Sequence, residues 1–120
     1  MLFGGGYKTL VSDAFELCLG NASLLPVTIK RVGETKRKKE LLSLLALIFR
    51  DALVYKTAVA DRNSVFLRAE EPRVKMVADK YSARALVTAQ TLIAKAEREL
   101  FFNAVFPQCL ETLFAKIYEI

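Results

Sequence analysis

The residue types that most often carry enzyme chemistry are nearly missing from this chain. It has no histidine, which removes the commonest general base and the commonest metal ligand. Without histidine, no Ser-His or Cys-His nucleophile can be assembled. The two cysteines, Cys18 and Cys109, form no C-x-x-C pair and each lies among apolar residues. They read as small buried hydrophobes in a reducing compartment, with no disulfide framework. The glycine run at 4–6 follows no strand pattern, and no G-x-x-x-x-G-K-[ST] phosphate loop occurs. Glu70 and Glu71 stand at an expected helix start, where the helix dipole accounts for them. Cysteines and carboxylates do not cluster at metal-ligand spacing. The expectation is therefore no catalytic site, no cofactor and no metal, and a role in binding or assembly.

Two charged constellations remain. The first is "KRVGETKRKKE", residues 30–40, which holds Lys30, Arg31, Lys36, Arg37, Lys38 and Lys39 against two acidic side chains. It reads either as a patch for phosphate or an acidic partner, or as a solvated turn and helix start. No aromatic or base-reading polar group lies within it. The second is Arg50-Asp51 in "FRDALVYK", directly after the apolar run "ELLSLLALIF". Adjacent residues on a helix point about 100° apart and do not face each other. Each charge is therefore expected to find its own partner. The stem of Arg50 should lie on apolar surface with its head reaching outward. Asp51 should accept from backbone N–H groups or pair with a basic side chain.

The elements that position these residues are helical. The chain has 120 residues, 53% hydrophobic and 26% charged, with five Gly and three Pro. That composition suits one ordered, helix-rich domain. A first helix is expected near residues 7–19, stopped by Gly20-Asn21, after a flexible lead-in at 1–6. A short second helix has Pro26 in its first turn and ends at Gly33. A third runs from a Thr35 cap to Ala58, spanning about 36–58 as a long central helix. Leu41, Leu44, Leu45, Ile48, Ala52 and Tyr55 make one stripe, and Leu42, Leu47, Phe49, Leu53 and Val54 fill most of the rest. A helix apolar all round is a buried one.

Residues 59–71 read as a loop, and Pro72 opens a fourth helix. Ser82 caps a fifth, whose seam of Leu86, Ala89, Ile93, Ala96 and Leu100 ends in the polar Asn103. Pro107 opens a sixth, with Leu110, Leu113, Phe114 and Ile117 inward. The fold class is all-α, a compact bundle of five to six helices. Phe101, Phe102 and Phe106 read either as ordinary core or as part of a flat apolar face. No stretch is long and apolar enough to span a bilayer, and no signal peptide is visible. A cytoplasmic protein without membrane contact is expected.

With the helices placed, residues 36–120 resemble the C-terminal collar domain of bacterial DNA polymerase III clamp-loader subunits, the delta-prime type in particular. Three stretches carry the resemblance: "LLSLLALIFRDALVYK", then "VFLRAEEPRVKMVADKYSARALVTAQTLIAKAEREL", then "LFFNAVFPQCLETLF". One departure is clear, since Val105 stands where that family usually has a second Asn. The resemblance implies that residues 7–120 form an oligomerisation domain. Its partners would be other clamp-loader subunits, packed collar against collar. ATPase activity would reside elsewhere in the complex, and DNA and the sliding clamp would be reached only indirectly. Arg50, Asp51, Asn103, Phe101 and Phe102 are then the candidate structural or interface residues. The rival reading, motivated by residues 30–40, is a small basic helical module that binds nucleic acid directly.

Overall fold

A computed structural model describes residues 4–57 and 68–120 of the chain. Six α-helices follow in order: α1 Gly4–Leu19, α2 Leu25–Val32, α3 Lys38–Thr57, α4 Glu71–Lys80, α5 Ala83–Phe101 and α6 Phe106–Glu119. One 3-10 turn, Arg68–Glu70, leads into α4. No strand occurs among the described residues. The expected bundle is the observed fold.

The apolar pattern of α3 sets the packing. Leu41, Leu42, Leu44, Leu45, Ile48, Phe49 and Ala52 are all buried on this one helix. Such a helix needs neighbours on several sides, and α1, α4 and α5 supply them. The α5 stripe Leu86, Ala89, Ile93 and Ala96 is buried, and its large–small alternation lets α3 and α6 approach on either side. Inward faces of α1 (Leu10, Ala14, Leu17, Cys18) and α6 (Leu110, Leu113, Phe114, Ile117) complete one continuous core.

Several boundaries differ from expectation, each for a local reason. Helix α1 begins at Gly4, so glycines 4–6 lie in its first turn rather than in a lead-in; residues 1–3 lie outside the described residues. Helix α3 begins at Lys38 rather than at a Thr35 cap. The Thr35 hydroxyl instead accepts from the Arg37 backbone N–H at 3.1 Å, making a hydroxyl turn one step ahead of the helix. Ala58 and most of the expected 59–71 loop lie outside the described residues.

The starts read from Pro26, Pro72 and Pro107 hold, each proline sitting in a first helical turn. Ser82 Oγ accepts from Ala85 N–H at 3.1 Å, the expected cap of α5. Gly20 does stop α1, but not through a left-handed turn, because no described glycine has positive φ. A Cβ there would lie 3.1 Å from both the Glu16 carbonyl oxygen and the Tyr118 hydroxyl. Gly20 is small because another side chain needs the space.

Asn103 is the main correction. It is not the polar end of the α5 seam; it stands beyond the helix, exposed, with φ of 67°. Ala104 N–H donates to Glu99 C=O and Asn103 N–H to Leu100 C=O, each at 3.1 Å. This is a Schellman ending, with asparagine in the left-handed position that glycine usually takes. Asparagine tolerates that conformation and β-branched residues do not. Asn103→Val should therefore destabilise the domain by about 1–2 kcal/mol, while Asn103→Gly should leave it unchanged or slightly stabilised. Urea denaturation of the two variants checks both.

Candidate functional site

The "FRDALVYK" stretch occupies the second half of α3. Asp51 is fully buried, the one charged residue in that class among those described. Arg50 Nη1 donates to Asp51 Oδ1 at 3.0 Å. The expectation that neighbours one step apart cannot pair is thus corrected. The two Cα–Cβ bonds diverge, but arginine has four side-chain torsions and curls its guanidinium back over the carboxylate. Its side chain remains 39% exposed, so the apolar stem lies on the helix and the head reaches the surface. No described buried side-chain nitrogen or oxygen lacks a partner, as expected where burial strengthens every polar interaction. Lys56, six residues after Arg50, donates to the Ala78 carbonyl near the end of α4 at 3.0 Å. The motif therefore ties α3 to α4.

A second cluster was not visible in the sequence. Three side chains converge on the last carbonyls of α1, which have no partner within their own helix. Tyr118 Oη donates to Leu17 C=O and Tyr81 Oη to Cys18 C=O, each at 2.7 Å. Lys80 Nζ donates to Gly20 C=O and lies 5.6 and 5.5 Å from the Tyr81 and Tyr118 ring centroids. An ammonium at a helix C-terminus also suits the dipole. Burial pushes the Tyr118 phenol up to about 12, with the nearby Cys18 adding to the rise. Burial raises Tyr81 and the Cys18 thiol too. Cys109 is likewise raised by burial, and both cysteines are free and buried.

The six basic residues of 30–40 divide into two kinds. Arg31 is engaged by Asp13 and Glu16 of α1, and Arg37 by Glu40. These arginines serve the fold. Lys30, Lys36, Lys38 and Lys39 are exposed and enter no ion pair among the described residues.

The aromatic residues divide as well. Phe106 is core. Phe101 and Phe102 are 74% and 77% exposed, so they belong to the surface rather than to the bundle interior. Their rings meet edge to face with centroids 5.3 Å apart and planes at 84°. Val105, 57% exposed, stands just beyond, as the residue before α6. It makes no side-chain cap there, since valine carries no polar group to do so. The sequence did carry one signal for this exposure: two phenylalanines directly before an asparagine that ends a helix.

Among the described residues, no three His, Cys, Asp or Glu side chains are placed to hold a metal. No described helix is long and apolar enough to cross a membrane. Comparison with protein-family models, with curated proteins and with solved structures gave no match.

Two outcomes follow from these clusters. Asp51→Ala removes a buried acceptor and should destabilise the domain by more than about 2 kcal/mol in a chemical melt. An unchanged melt with lost assembly would move Asp51 from the fold to an interface. The tyrosines set an alkaline limit. A phenol whose folded pKa lies above its unfolded value of about 10 stabilises fully below that pH. That contribution should fade as pH rises from about 10 toward about 12 for Tyr118. Tyr118→Phe should lower stability by about 1 kcal/mol at neutral pH and flatten this alkaline loss, as read by melts across the range.

Proposed function

We propose that this chain is an assembly module, the collar-type domain of a bacterial clamp-loader subunit of the delta-prime kind. It would help build the complex that loads the sliding clamp onto primed DNA. The observation that carries the reading is the exposed apolar corner of Phe101, Phe102 and Val105. An exposed edge-to-face aromatic pair is a surface that gains by being covered. Aromatic side chains are also the residues on which protein interfaces most often depend.

The resemblance over residues 36–120 supports the same reading. The residues it rests on include a buried Asp51 paired with the half-exposed Arg50, a Ser82 cap and a left-handed Asn103. The partners are then the other clamp-loader subunits, and the ATP-driven chemistry belongs to them.

Co-expression with the remaining clamp-loader subunits, followed by native mass spectrometry, tests this. The expected result is incorporation of the chain into the complex. Changing Phe101 and Phe102 together to Ser should leave the melt of the isolated domain within about 0.5 kcal/mol, as for other surface substitutions. It should weaken incorporation by roughly thirtyfold, which is about 2 kcal/mol for a central interface anchor. A wild-type chain that stays outside the complex would overturn the reading.

A further inference from the structure

We infer that the turn between α2 and α3 binds the phosphate backbone of nucleic acid without regard to sequence. This goes beyond the assembly reading and uses different residues. Residues 30–40 hold six basic and two acidic side chains, a net +4 out of the whole chain's +5. Eleven residues thus carry most of the net charge, concentrated around one turn.

The structure sharpens what that charge is for. The arginines are already committed, Arg31 to Asp13 and Glu16 and Arg37 to Glu40. What remains is four exposed lysines, at positions 30, 36, 38 and 39, beside one exposed acid, Glu34. No described acid engages any of them. Lys38 and Lys39 moreover occupy the first turn of α3, where cations oppose the helix dipole. The acid of that turn, Glu40, is held by Arg37. Lys30, in the last turn of α2, suits the dipole of that helix, whereas Lys38 and Lys39 oppose that of α3, and a polyanion on the turn would relieve them.

Lysine is a flexible point charge, suited to phosphate and poor at reading planar base edges. Within 30–40 there is no aromatic to stack a base and no Asn or Gln to read one. Binding should therefore follow phosphate density alone. Phosphates are displaced by salt in a way that counts the contacts.

The test titrates the full chain with a labelled oligothymidylate and with a duplex of similar length, at 50 and at 200 mM salt. If each of the four lysines takes one phosphate, duplex affinity should fall about 150-fold between the two salts, and single-strand affinity about 50-fold. Lys36→Gln with Lys39→Gln should weaken binding and reduce the duplex fall to about 12-fold. Lys95→Gln with Lys116→Gln, also exposed but on α5 and α6, should change neither. Phe101→Ser with Phe102→Ser should retain binding, which separates this inference from the assembly reading. Three results would overturn it: no binding at the lower salt, equal loss in the Lys95/Lys116 control, or displacement of the nucleic acid by polyglutamate at matched charge. The last would assign the turn to an acidic protein surface.

Discussion

The bundle depends on one constraint: α3 is apolar around nearly its whole circumference. A helix of that kind cannot sit on a surface. It has to be enclosed, and the chain encloses it with α1, α4 and α5, while α2 and α6 close the outer layer. The same enclosure explains why Arg50 and Asp51 pair. Once α3 is surrounded, the Asp51 carboxylate is cut off from water, and an unpaired buried charge is far less favourable than a paired one. The adjacent residue carries a long cation, and its torsions let it turn back to the carboxylate. Burial created the demand, and side-chain length met it in spite of the poor backbone direction.

Enclosing α3 with short helices generates many helix ends, each with unsatisfied carbonyls. The ends are where the chain ties distant segments together. Tyr118 is 101 residues from Leu17 and Tyr81 is 63 from Cys18, yet their hydroxyls close the end of α1. Lys56 does the same for α4, and α5 closes itself through Asn103 and Ala104. Gly20 belongs to this system as the residue that leaves room for the Tyr118 hydroxyl. The aromatic residues that close α1 also pack in the core, with Phe49 against Tyr81 and Phe114 against Tyr118 at 5.6 Å. Core packing and helix capping are thus the same side chains used at their two ends.

Periodic features were legible in the sequence because periodicity is local. The stripes of α1, α3, α5 and α6 follow the helical repeat, and Pro26, Pro72, Pro107 and Ser82 mark starts through short-range chemistry. The features that escaped are those set by tertiary geometry. Nothing near Tyr81 or Tyr118 names a carbonyl in α1 as its acceptor. The Arg50–Asp51 pair escapes the helical-direction rule because that rule concerns Cβ directions, and the arginine side chain is long enough to turn back on its neighbour. Asn103 continues the α5 spacing by one more step, so periodicity alone does not show that it lies beyond the helix. Its left-handed backbone is decided by where α5 must end so that α6 can turn back. Phe101 and Phe102 share that cause. The helix stops just as they reach the edge of the bundle, so their rings find no interior to enter.

The two unpartnered surfaces are not far apart. A Cβ on Gly33 would lie 3.0 Å from Pro107 Cγ, so the basic turn rests on the start of α6, directly after the aromatic corner. Their physics differs. Lysines in water act over roughly the screening length and raise the rate of encounter with an anionic partner. The aromatic corner acts only on contact and slows departure. On the two proposals above, charge would bring a partner to this side of the bundle and apolar contact would hold one there, and salt would weaken the first effect more than the second. The core is complete without either group, and the packing of α2 on α6 is what brings the basic turn near the aromatic corner.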